Sequence, residues 1–169
     1  MKIVRRIILF IFIVFLVIIG YFTADGYMLY KESMSEISLE DRVSNLKEAE
    51  NFTHLSDVPE YYKNAVISIE DHRFYSHHGV DIIATSRAFI NNIVTMELQG
   101  GGSSITQQVA KNLCFTQEKT LTRKFAELFV VYHLEKDYEK DDILELYINN
   151  MYFGNGYYNI YDAAKRILW

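Results

Sequence analysis

Ile69-Glu70-Asp71-His72-Arg73-Phe74-Tyr75-Ser76-His77-His78-Gly79 is the stretch around which the rest of the chain is organised. It sets an acidic pair, Glu70 and Asp71, at the expected end of an apolar-faced helix, with Phe74, His77 and Gly79 in the short turn beyond. A carboxylate delivered from a helix end into a loop is well placed to be partly desolvated. Desolvation lifts its pKa toward the range of a general base. Acidic residues at helix ends are ordinarily solvated, so the surrounding segments have to decide.

Upstream, Asp57-Val58-Pro59-Glu60 reads as a helix start: Asp57 can cap, Pro59 is tolerated in a first turn, and Glu60 completes a capping-box spacing. Tyr62, Ala65, Val66 and Ile69 then share a face, with Glu70 at its far end. Downstream, a helix is expected from Asp81 to about Leu98, with Ile82, Ile83, Phe89, Ile90, Ile93 and Val94 apolar, closed by Gly100-Gly101-Gly102. Ser103 or Ser104 caps the next helix. Its N-terminus, behind glycines, would present free backbone N–H groups suited to a phosphate or sugar oxygen. A third helix, Leu121 to about Lys136, carries Leu121, Phe125, Leu128, Phe129 and Tyr132 at helical spacing. Beside that stripe, Arg123 and Glu127 are spaced as an ordinary surface ion pair. Asp141 opens another helix whose Ile143, Leu144, Tyr147, Ile148 and Met151 point one way; Gly154 and Gly156 close it before a last segment, Tyr157 to Trp169. No stretch alternates as a strand would, so the domain is expected to be mainly α.

The chain has 169 residues, enough for one domain and little more. Lys2, Arg5 and Arg6 precede an uncharged run from Ile7 to Ala24, ended by Asp25. As a helix that run rises ~27 Å, close to the ~30 Å hydrocarbon core. It is longer than the ~7–15 apolar residues of a signal peptide, and Phe22 is bulky where a cleavage site wants a small residue. An uncleaved single-pass anchor is therefore expected over residues 1–25, its basic end cytoplasmic and the remainder outside. Residues 26–56 read as a polar juxtamembrane linker with a surface helix marked by Leu39, Val43 and Leu46, and 57–169 as the domain.

Without the three basic residues before the anchor, 14 Lys and Arg face 22 Asp and Glu, a formal charge near −8. That excludes a general nucleic-acid binder. From Lys111 to Lys124 the balance reverses to four basic residues and one acidic, the local patch an anionic ligand needs. The single cysteine, Cys114, excludes an internal disulfide and a cysteine zinc cluster, and reads as a small core residue.

Together the segments from about Val58 to Ala164 resemble the peptidoglycan glycosyltransferases, the lysozyme-like domain of bifunctional penicillin-binding proteins and monofunctional transglycosylases. Four motifs carry the resemblance, in order. They are Glu70-Asp71-x-x-Phe74-x-x-His77-x-Gly79; Gly101-Gly102-Ser103-Ser104-Ile105-Thr106-Gln107-Gln108 with Lys111-Asn112; Arg123-Lys124-x-x-Glu127; and Lys140-x-x-Ile143-Leu144-Glu145-x-Tyr147-Ile148-Asn149 leading to Ala163-Ala164.

The resemblance implies a lysozyme-like helical domain that polymerises lipid II into glycan strands for the cell wall. A sugar 4-hydroxyl attacks the anomeric carbon of a polyprenyl-diphosphate-linked donor, with inversion. By the same resemblance Glu70 is the base and Glu127 the second essential glutamate, near the diphosphate. The cations Lys111, Lys119, Arg123 and Lys124 meet the leaving group; Asp71, Phe74, His77, Ser103, Thr106, Gln107, Gln108 and Asn112 belong to the substrate site. Lipid II, the growing strand, the membrane and cell-wall synthesis proteins are the implied partners. A divalent cation, magnesium or manganese, is reported for some members, but no ligand cluster implies one independently. Ser104 stands where the family has threonine. Family domains continue past the Ala-Ala helix, so the chain reads as shortened at its C-terminus. Two competitors are a catalytically inactive lipid II-binding scaffold and, ranked last, a lysozyme-like hydrolase with Glu70 as acid and Glu127 as its partner.

Overall fold

With neither proline nor a capping break between Lys2 and Glu36, one helix runs the whole way, α1 (Lys2–Glu36), about 52 Å long. The computed structural model that shows this describes residues 2–95 and 101–168, so Leu98, Gly100 and Trp169 of the expectations above lie outside the described residues. Seven more helices follow: α2 (Leu39–Lys47), α3 (Glu60–Glu70), α4 (Ile82–Thr95), α5 (Ile105–Cys114), α6 (Leu121–Asp137), α7 (Lys140–Asn150) and α8 (Ile160–Leu168). Short 3-10 turns stand at Leu55–Asp57 and Phe74–Ser76. No strand forms among the described residues; a single bridge, Gly154 to Tyr157, tightens the turn between α7 and α8.

The core lies where α5, α6 and α7 meet. Ile105, Val109, Val130, Leu134, Leu144 and Ile148 are fully or almost fully buried there. α7 is covered nearly all round, since Leu146 is sealed as completely as Ile143 and Tyr147. It starts one residue before Asp141, with Glu139 as N-cap in a reciprocal pair with Asp142. Cys114 is buried and its thiol is pushed up to about 11, as an inert core residue should be.

Two expectations about helix faces are corrected. On α6 the buried face is Ala126, Glu127, Val130, Val131 and Leu134, while Leu121, Leu128 and Tyr132 are exposed. The helix is apolar on two sides: Phe125 and Phe129 turn to α1, where Phe22 stacks on Phe125 and Tyr27 and Tyr30 pack on Phe129. On α3, Val66 is buried with Tyr62 and Ile67 beside it, but Ala65 is exposed and Ile69 is 81% exposed. The start of α3 differs too. Asp57 is drawn into the 3-10 turn, its N–H donating to the His54 carbonyl, and Pro59 takes the N-cap position without a side-chain cap.

Residues 26–56 are not one polar linker. Gly26 to Glu36 belong to α1 and pack on α6; α2 follows as expected, with Val43 buried. Residues 51–55 are then tied down on α7 and α8. Asn149 exchanges two 2.8 Å hydrogen bonds with the Thr53 backbone, the Leu55 N–H donates to Glu145 and Asn51 donates to Asp162. The first half of α1 is bare: Ile3 to Ile18 are exposed, in a helix long and apolar enough to cross a membrane.

Gly79 occupies a place no other residue fills. Its φ is +81°, and a Cβ there would fall 2.3 Å from Cγ1 of Val131 and 2.9 Å from Cγ of Glu135. Gly79→Ala combines a left-handed backbone penalty with overpacking, so a loss of about 2–4 kcal/mol in urea denaturation is expected.

Candidate active site

α3 ends at Glu70, and Asp71 turns the chain away with an extended φ of −157° while its N–H still donates to the Ile67 carbonyl. This break separates the two acids. Glu70 stays outside, exposed, and accepts a 2.9 Å hydrogen bond from Nε2 of Gln108. Asp71 goes inside, 6% exposed, where its oxygens accept from His77 Nε2 at 2.9 Å and from the Ile105 N–H at 3.1 Å.

The second bond corrects an expectation. The N-terminus of α5 is not an open anion site, because Asp71 is already the anion on it. The N–H groups of Ser104 and Gln107 are taken as well. Ser104 and Gln107 form a capping box, each side chain on the other's backbone N–H, and the Ser104 hydroxyl donates to the Gly79 carbonyl. Asp71, Phe74 and His77 hold the turn against α5 from inside. Phe74 is wholly buried with the Lys140 ammonium 4.5 Å from its ring centre, and His77 is mostly enclosed. Thr106 is likewise buried, bonded to Glu135 at 2.5 Å. Asn112 donates to the Asn150 carbonyl at 2.8 Å and joins α5 to the end of α7.

What remains open is a cavity of about 350 Å³ lined by Ile69, Glu70, Gly101, Ser103, Gln107, Gln108, Lys111 and Lys124. Its floor is α5, one wall is the end of α3, and the opposite wall is the first turn of α6. Lys124 donates to the Ser103 hydroxyl at 2.8 Å and pairs with Oε2 of Glu127 at 2.8 Å. Glu127 itself is 0% exposed and also bonded to Arg123. The Arg123–Glu127 pair is thus buried, not an ordinary surface pair, because α1 covers one side of α6 and the core the other.

Arg123 is turned away from the Glu70 cavity. Its guanidinium serves Glu127 and the Glu118 carbonyl, and it lines a separate cavity between α1 and the 115–120 segment. Lys119 is exposed on that segment and lines neither cavity. Burial, then the cations of Arg123 and Lys111, hold the Lys124 ammonium down to about 8; its bridge to Glu127 pulls the other way. Burial and Arg123 also lower Lys111. Two carboxylates, Glu70 and Glu127, stand beside three cations, Lys111, Arg123 and Lys124, a local excess of positive charge suited to an anionic ligand.

The transglycosylase family model matches residues 38–168. The chain belongs to the transglycosylase family. It is 46% identical over 125 residues to a monofunctional glycosyltransferase of Staphylococcus saprophyticus, an alignment covering 74% of this chain and 46% of that protein. It is also 46% identical over 132 residues to a monofunctional glycosyltransferase of Staphylococcus aureus strain JH9, covering 76% of this chain and 49% of that protein. The chain spans about half the length of the curated relatives it matches. The mainly α, lysozyme-like transglycosylase domain expected from the motifs is the fold observed.

This transglycosylase domain sets beside Glu70 one residue that stands in the fourth motif but was given no site role. Tyr147, expected only as core, points its hydroxyl at Glu70. Burial, the Glu70 charge, Tyr62 and a hydrogen bond to Glu70 together raise its pKa well above that of a free tyrosine. The signal was available, since Tyr147 is the polar-tipped residue in an otherwise apolar α7 face.

Among the described residues, the carboxylates near the site are already committed to other partners and do not fit a divalent metal. Asp71, His77 and Asp81 bring ligand atoms within 4.8 Å of one another. Yet Asp81 accepts from the Arg73 guanidinium at 2.9 and 2.5 Å and from the Ala84 N–H, and Asp71 is committed to His77 and Ile105. An ion there would have to displace a guanidinium and detach α5. Glu127 is held between Arg123 and Lys124, and Glu70 is the only carboxylate lining the cavity among the described residues.

Proposed function

We propose that this transglycosylase polymerises lipid II into glycan strands in the cavity between α3, α5 and α6. The observation carrying the reading is that Glu70 and two lysines, Lys111 and Lys124, line one cavity. Glu70 takes the proton from the acceptor 4-hydroxyl as that oxygen bonds to the donor's anomeric carbon. The bond from that carbon to the diphosphate breaks on the opposite face, and the diphosphate leaves with the electron pair. Lys124 and Lys111 meet its growing negative charge; Glu127 and Arg123 keep Lys124 aimed at the cavity. Gln108 and Tyr147 fix the Glu70 carboxylate. Glu70 is exposed in the free chain, so the desolvation a base needs comes from the bound substrate.

A lipid-linked substrate diffuses in the bilayer, and α1 spanning that bilayer keeps the cavity at its surface, with Lys2, Arg5 and Arg6 cytoplasmic and the domain outside. The growing glycan strand is the second substrate, and other cell-wall synthesis proteins are the partners of such a tethered body. The test is lipid II supplied to the purified chain in vesicles, with polymer separated by size. Lipid II bound but not polymerised by a folded chain would overturn the reading in favour of a binding role.

The lysines make the pH dependence specific. Turnover should fall as pH rises through about 8, where Lys124 loses its charge. Stability should move the other way. Between the folded pKa near 8 and the ordinary 10.5 the unfolded chain binds the extra proton, so folding becomes more favourable as pH rises through that window. A rate profile and a set of thermal melts across pH 7–10 check both signs.

A further inference from the structure

α1 and α6 are locked at a defined height. The uncharged run ends at Ala24; the next residue, Asp25, accepts a 2.6 Å hydrogen bond from the Thr122 hydroxyl, in the first turn of α6. Gly26 lets the two backbones touch, because a Cβ there would lie 2.7 Å from Cβ of Phe125 and 2.9 Å from the Ala126 nitrogen. Two turns further, buried Ser33 donates to the Cys114 carbonyl at 2.7 Å, and Arg42 bonds the carbonyls of Ser33 and Leu113 at 2.9 Å each. α1 thus grips both ends of the segment 115–120, from α5 to the cations of α6.

Asp25 is the first charged residue after the apolar run, so it marks where α1 leaves the hydrocarbon. Thr122, bonded to it, immediately precedes Arg123 and Lys124. With α1 leaving the hydrocarbon at Asp25, Lys124 would fall within the headgroup layer, ~5–8 Å deep, the depth at which the phosphates of a membrane-embedded polyprenyl diphosphate reside. We infer that α1 sets the height of Lys124, and of the Arg123–Glu127 pair that holds it, above the hydrocarbon, with Asp25, Gly26 and Thr122 as positioning residues for a bilayer-embedded diphosphate. This rests on the function proposed above.

The test compares two substrates on the full chain in phosphatidylglycerol vesicles, a long-chain lipid II and a short-chain, water-soluble analogue. For the double variant Asp25→Ala/Thr122→Val, KM for the long-chain substrate should rise about tenfold with kcat changed less than about twofold, and kinetics on the short-chain analogue should stay within about twofold. Thr122→Ser should behave as wild type. Equal losses on both substrates, or no loss on either, overturn the inference. Gly26→Leu should show the same split more strongly; if it does not fold, the double variant decides. Wild-type chain inert on both substrates would instead sink the proposed function. Independently of turnover, a nitroxide on Leu121→Cys in a Cys114→Ala background should report headgroup depth, and a label standing clear of the bilayer overturns the inference.

Discussion

Replacing Glu70 by glutamine is expected to lower glycan polymerisation by roughly 10²–10⁴-fold while leaving the melting temperature unchanged. The substitution keeps the size of the side chain and a carbonyl oxygen able to accept from Gln108, whose amide lies 2.9 Å from the carboxylate. It removes the basic lone pair that would take the acceptor's proton. Because Glu70 is exposed at the end of α3 and bears none of the core's weight, folding should not register the change. Polymer gels and a thermal melt on the same preparation make the check. Undiminished polymer would take Glu70 out of the base role; a collapsed melting temperature would show that its exposure had been misjudged. Tyr147→Phe should be milder, because Gln108 still holds the carboxylate.

Glu127 predicts the opposite pattern, a fold effect larger than its chemistry. It is sealed from solvent and faces Arg123 and Lys124. Glu127→Leu leaves an 11% exposed guanidinium with no anion, and breaking a buried pair from one side costs about 3–5 kcal/mol. Against a typical total of ~5–15 kcal/mol, a substantial fraction of the chain would unfold near physiological temperature. Glu127→Gln should be gentler. It retains a hydrogen-bond acceptor for Arg123 but withdraws the charge that keeps Lys124 protonated, so the alkaline fall in turnover should move below about 8. Urea denaturation of both variants, with a rate-against-pH profile for Glu127→Gln, separates the structural part from the chemical part.

How far these features could be read in advance depended on whether neighbours in sequence or neighbours in space decide them. The α5 cap was legible because Ser104 and Gln107 are three residues apart and answer only to each other. α2 was legible from Leu39, Val43 and Leu46. The meeting of Glu70 with Lys111 followed from the motifs. By contrast, spacing places Arg123 beside Glu127 but cannot say whether water reaches them; that was settled by α1, whose Asp25 touches α6 across a separation of 97 residues. The same helix explains why the Leu121–Tyr132 stripe does not mark the core face: α6 has two covered sides, and periodicity reports one. Asp71 was the subtler case. Adjacent to Glu70 and chemically its twin, it serves α5 as an internal counter-ion, a role visible only once the backbone turns between them.

α1 has one more consequence, for anyone preparing the protein. The family match begins at residue 38, and a chain cut there to make it water-soluble would seem to lose only the greasy tail. It would in fact strip the lid from Phe125 and Phe129, leave the Thr122 hydroxyl without its acceptor, and release Arg42 from the Ser33 carbonyl. Such a preparation should clump, and its poor yield would reflect a lost wall of the domain rather than a missing tether.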